Sequence, residues 1–308
     1  MATTTSITTT YAGEFAGKYI SAALLSADTI EGGGITIKPN VKYKEVMKTL
    51  STDAIVKDAT CDFSDTSTIT LAEKILQPEE FQVNLELCKS DFASDWEAIS
   101  MGYSAFDELP SNFADFLIGH VAAKVAQKTE QTIWTGATAN AGEFNGFGAL
   151  LAADGDVVDV TGTSVTAANV ITEMGKVVDA IPTSVYGKED LYIYVASNVA
   201  RAYVRALGGF GASGLGANGV RNEGTTWFNN QDLAFDGVKI FVASGMADNT
   251  MVAAQKSNLF FGTGLLADSN EVKILDMADL DGSKNVRVVM RYTAGVQIGI
   301  GADIVYYA

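Results

Sequence analysis

The sequence is short of histidine, cysteine, proline and positive charge. Its 308 residues include one His, two Cys and four Pro, and 21 Lys and Arg stand against 37 Asp and Glu. Two cysteines, Cys61 and Cys88, make neither a disulfide framework nor a four-ligand zinc site. They read as buried thiols made in a reducing compartment, with a bridge between two hairpin strands left open. His120 has no Cys or Ser motif to partner it and reads as a helix-packing side chain, not a catalytic base. With a net charge of −16 and no basic stripe, the chain lacks the phosphate grip of a nucleic-acid binder. Lys42, Lys44 and Lys48 are interrupted by Glu45 and read as a solvated face. No apolar run reaches the length of a membrane span, and the start lacks the basic-then-apolar order of a targeting signal. G-x-S-x-G, H-E-x-x-H and a Walker lysine loop are all missing. No enzyme activity, metal or cofactor is expected.

One stretch imitates a cofactor motif. Gly208-Gly209-Phe-Gly211-Ala-Ser-Gly214 contains G-x-G-x-x-G, and Gly216 and Gly219 follow. A phosphate-binding turn must leave a strand and open a helix. Here the strand-like run 191–195 comes first. Ser197 then caps a helix to about Leu207, and the glycines come after that helix. The order is wrong for a dinucleotide, and a long irregular loop is expected.

Hydropathy supplies the rest. The chain is 47% hydrophobic and 19% charged, enough to fill a sizeable core under a charge-poor surface. A Thr-rich start and Gly32-Gly-Gly34 bound a loose arm, with a short helix expected over about 16–25. Residues 35–88 read as extended. Phe81, Val83, Leu85 and Leu87 alternate with polar residues at the period of a half-buried strand. Pro110-Ser111-Asn112 starts a helix in which Phe113, Leu117, Val121 and Val125 recur at i+4, ending at Gly136. About two dozen residues make a rod of about 35 Å. A second helix is expected from Thr166 to Ile181. Strands are expected over 238–242, 251–254, 272–274, 286–292 and 296–307. The acidic run 276–285 reads as a turn between strands. Helices and strands segregate, so the class is α+β.

The run "FADFLIGHVAAKVAQKTEQTIWTG" (113–136) followed by "FNGFGALL" (144–151) resembles the spine-helix signature of tailed-phage major capsid proteins, the Hong Kong 97 fold. The matching positions are Glu130, Ile133, Trp134, Gly136, Gly146, Phe147 and Gly148. The resemblance implies an N-terminal arm (1–34) and an extended E-loop hairpin with its base (35–88). It further implies a P-domain with the spine helix at about 111–135 (89–155), an A-domain (156–265) and returning P-domain strands (266–308). It implies a structural subunit of an icosahedral head, built of hexamers and pentamers around double-stranded DNA. The subunit would be assembled in the host cytoplasm, with portal and possible scaffolding or decoration proteins as partners. A chain starting directly with the arm implies a separate scaffold or none. Ile69, Leu71, Val83 and Leu85 become inter-subunit contact candidates, against packing within the subunit. Gly208 to Gly219 becomes a loop near the symmetry axis. An encapsulin-type cargo compartment is the alternative of the same fold. A soluble nucleotide-binding enzyme or a β-rich phage surface protein are alternatives of other kinds.

Overall fold

The computed structural model describes residues 28–52, 55–59, 61, 65–88, 111–208, 233–264 and 272–308, with backbone alone for 111–117, 208, 272 and 279. The short helix expected over 16–25 and Gly209, Gly211, Gly214, Gly216 and Gly219 lie outside the described residues.

Two sheets and a ribbon carry the fold. β12 (Asn285–Ile298) is the hub of the first sheet. Along one edge it pairs antiparallel with β4 (Glu79–Cys88), with Val288 opposite Leu85. Along the other it meets β11 (Val272–Asp276) and then β10 (Leu259–Thr263). β1 (Thr36–Pro39) adds in parallel beyond β10. Alternation sets the faces of β12. Val286, Val288, Met290, Tyr292 and Ala294 are buried while Arg287 and Arg291 face solvent, the period-two pattern of a sheet covered on one side. The cover is α2 (Ser111–Thr135), whose Ile118, Val121, Val125, Ile133 and Trp134 share one core with those strands. The helix occupies the range that its i+4 spacing indicates.

The second sheet runs β5 (Val158–Val160), β13 (Val305–Tyr307), β9 (Met251–Gln255), β6 (Leu191–Ala196), β8 (Val238–Ala243), β7 (Ala234–Phe235). It is buried on both faces. Tyr194, Val252 and Ala254 join the core of α2. Ile193, Val195, Met251 and Ala253 join a second core under α4 (Val170–Asp179) and α5 (Ser197–Gly208). That double cover is why β6 reads as an unbroken apolar run.

Several sequence expectations shift. α4 begins at Val170, not Thr166, because the Asn169 side chain accepts the Thr166 amide at 2.7 Å and holds 166–169 as a turn. Residues 296–307 are not one strand. Asn258 takes both the amide (2.7 Å) and the carbonyl (2.8 Å) of Ile300. β12 therefore stops at Ile298, and the chain turns through Gly301–Asp303 into the second sheet as β13. The chain returns to the first sheet at a 3-10 turn, Lys256–Asn258, ahead of β10. The acidic run holds a short helix, α6 (Ala278–Asp281), closed by Gly282 at φ 72°. Cys61 is exposed and Cys88 half-buried, both as thiols, so neither is the fully buried residue expected. His120 is exposed on α2 rather than packed.

Candidate assembly surfaces and the junction beneath them

β2 (Glu45–Thr52) and β3 (Ile69–Leu76) form a two-stranded antiparallel ribbon with no third strand among the described residues. Its register pairs Val46 with Ile75, Lys48 with Glu73, Leu50 with Leu71 and Thr52 with Ile69. These residues share one face, since alternate positions point the same way. The face is apolar apart from Thr52 and the pair Lys48 and Glu73, whose charges lie 3.8 Å apart. It is also uncovered: Leu50 is 62% exposed, and Ile69 and Leu71 are each 67% exposed. The other face turns toward the body. Lys74 reaches Asp154 at 2.5 Å, the Ile75 carbonyl accepts from Gln297 Nε2 at 2.8 Å, and Leu76 is fully buried. Gln77 and Pro78 then step the chain into β4. Pro78 nests against Gly262 and Gly295, where a Cβ would lie 3.2 and 2.9 Å from it.

The four contact candidates therefore separate. Ile69 and Leu71 lie on the bare ribbon. Val83 is half-buried and packs on the core of its own subunit. Leu85 is exposed at the mouth of a groove of about 610 Å³, between β4 and the α2 residues His120, Val121, Lys124 and Val125. Val46, Leu50 and Ile75 were not singled out from the sequence. Period-two alternation across both strands is the signal that finds them.

The spine-helix positions converge at one junction. Ile133, Trp134 and Phe147 are buried together, with the Trp134 and Phe147 rings 5.3 Å apart. The three glycines are places where backbone meets backbone. Gly136 and Gly146 are joined by a 2.9 Å bond from the Gly146 amide to the Gly136 carbonyl. A Cβ on Gly146 would come within 2.9 Å of the Ile133 carbonyl, and one on Gly148 within 2.8 Å of the Trp134 carbonyl. Gly136 ends the helix for the same reason. A Cβ there would lie 2.5 Å from the Thr132 carbonyl. α3 (Phe147–Ala153) starts from this junction.

Glu130 is buried beside it. Its carboxylate accepts the Thr29 amide at 2.9 Å and the Thr29 hydroxyl at 2.5 Å. That hydroxyl accepts Trp134 Nε1–H at 2.8 Å. Burial holds the Glu130 carboxyl above the usual carboxylate range, against the pull of the Thr29 hydrogen bonds. Thr29 belongs to α1 (Asp28–Glu31), the root of the expected loose arm. Thr29 and Ile30 are buried, so the root at least is docked on α2. Thr29 carried no sequence signal. On the opposite side of the helix, Glu143 is held down at about 2, chiefly by hydrogen bonds from Lys128 and Asn140.

Among the described residues no cluster of three or more His, Cys, Asp or Glu is placed to hold a metal ion, and no helix is long and apolar enough to cross a membrane. Gly208 closes α5, and the rest of the glycine loop lies outside the described residues.

No protein-family model matches the chain, and no curated protein matches it. Solved structures do. The capsid of a native GTA particle is 14% identical and aligns over 92% of this chain and 96% of its own, with a TM-score of 0.61. The procapsid of satellite phage P4, in a structure that includes the size-determination protein, is 12% identical over 96% of this chain and 91% of its own, at 0.60. The capsid of the Myoviridae phage XM1 is 13% identical over 100% of this chain and 96% of its own, at 0.55. The fold is that of these phage capsid structures, in agreement with the resemblance to tailed-phage major capsid proteins carried by the helix and its glycines.

Proposed function

We propose that this chain is the major capsid protein of a tailed phage, a structural subunit that assembles with its own copies into an icosahedral head around double-stranded DNA. The observation that carries the reading is a bare apolar ribbon on a body with the capsid fold. A two-stranded ribbon has no core of its own, and an exposed contiguous apolar face marks an interaction site. A neighbouring copy in a closed shell covers it. In this reading β2–β3 is the extended loop. α2 with the first sheet forms the peripheral domain, and the second sheet with α4 and α5 the axial one. The roles that the resemblance gives the arm (1–34) and the glycine run (208–219) fall outside the described residues, apart from 28–34 and Gly208. The acidic balance suits a wall that encloses DNA without gripping it. The work lies in interfaces and needs no catalysis. The subunit is made in the host cytoplasm and ends in the virion, with a portal and, where used, scaffolding or decoration proteins as partners.

The test is electron microscopy of the void-volume fraction from the full chain, beside Leu50→Asp/Leu71→Asp. The wild type is expected to give closed shells or hexameric sheets and tubes, and the variant dispersed subunits. A wild type that stays monomeric across assembly conditions, or a variant that assembles as the wild type does, overturns the reading.

A further inference from the structure

Among the described residues, the root of the arm rests on a carboxylate with no cation beside it. Glu130 is 5% exposed. Its hydrogen-bond partners are both neutral donors, the amide and the hydroxyl of Thr29. The described surroundings add no positive charge. From α1, Asp28 faces it as a like charge and is itself bonded by the Ser244 hydroxyl, while Glu31 is exposed. The loop 244–247 brings Ser244, Gly245, Met246 and Ala247, none of them charged, and the nearby α2 positions in the cleft are Gln127 and Gln131. Docking residues 28–34 on α2 thus takes one carboxylate out of water next to another. Two neutral hydrogen bonds are the compensation, and no ion pair is made with a described residue.

The Thr29 hydroxyl has its proton on Glu130 and accepts Trp134 Nε1–H. The Thr29 bonds favour the ionised carboxylate and oppose the effect of burial, which is the larger.

We infer that docking of the arm root onto the long helix takes up a proton at Glu130, so that mild acid tightens this joint and rising pH loosens it. The sign follows from linkage. Undocked, the Glu130 side chain faces water and titrates near its ordinary 4.5; docked, burial raises it. The docked state then holds more protons between the two values. Its extra stability is complete below the ordinary value and is lost as pH rises through the docked one. One proton limits the change to about tenfold per pH unit. The inference rests on the subunit fold and is independent of the shell reading.

Hydrogen exchange on the full chain tests it, with rates corrected for their intrinsic pH dependence, from pH 4.5 to about pH 8. Two amides report the joint: Thr29, bonded to Glu130, and Gly34, bonded to the Thr29 carbonyl at 3.0 Å. Protection at 28–34 is expected to fall with pH in the wild type, by up to about tenfold per unit, and to lose that slope in Glu130→Gln. Thr29→Val removes one donor to the carboxylate, so its fall should extend to higher pH. It keeps the test open if the glutamine variant does not fold. Wild-type protection that is flat or rises with pH overturns the inference. So does an unchanged slope in Glu130→Gln, or a Thr29→Val profile identical to the wild type.

Discussion

The ribbon β2–β3 and the six-stranded sheet obey the same alternation and end in opposite conditions. Along β6 each side chain meets a core, Tyr194 on one side and Ile193 and Val195 on the other. Along the ribbon the inner face meets the body near Lys74 and Leu76, and the outer face with Leu50 and Leu71 is left exposed among the described residues. Both segments are apolar enough to be strands. What differs is the number of surfaces the subunit supplies to cover them. A buried apolar residue stabilises the subunit that holds it, whereas a bare one stores that free energy for an encounter.

The comparison breaks most plainly at the junction. Trp134→Ala removes a ring packed on Phe147 and Tyr194 and the donor to Thr29. A loss of about 3–5 kcal/mol is expected, read as a lower urea midpoint. Gly146→Ala forces a methyl against the Ile133 carbonyl and should cost about 1–3 kcal/mol. Gly155→Ala has nothing within 4 Å and should stay within about 0.5 kcal/mol. Acid probes the same region with the sign opposite to that at Glu130. Glu143 is depressed from 4.5 to about 2, so its contribution is complete above 4.5 and lost as pH falls toward 2. Glu143→Gln should flatten that part of an acid-unfolding curve. The smallest effect belongs to the ribbon. Leu50→Asp/Leu71→Asp should shift subunit stability by no more than about 0.5 kcal/mol, while removing the surface proposed for assembly. A large destabilisation by that pair would place the ribbon with the body and end the contrast.

Much of this was legible where period and punctuation act locally. The long helix stands at Ser111–Thr135 because i+4 spacing and Pro110 mark its start and Gly136 its end. The hidden parts depend on contacts between distant segments. Strand Phe81–Leu87 looked continuous with the ribbon, yet it pairs with 286–292 in another sheet, a choice of partner that alternation does not encode. The glycines of the motif could be named, but not their reason, which is backbone approach from a loop ten residues away. Glu130 was marked by resemblance alone. Its partner Thr29 lies 101 positions off in a stretch with no pattern of its own.

The hub strand β12 also has a bearing on time. It ties the first third of the chain to the last: Arg287 and Glu86 are bonded across 201 positions. Such long-range pairing closes slowly, because loop entropy must be overcome before contacts form. The ribbon, by contrast, joins Thr52 to Ile69, a far smaller separation with a lower closure cost. A newly made subunit therefore cannot close its first sheet until residues 285–298 have been synthesised. Slower synthesis or lower temperature during expression should favour soluble subunits over aggregates, because either keeps the concentration of open chains low.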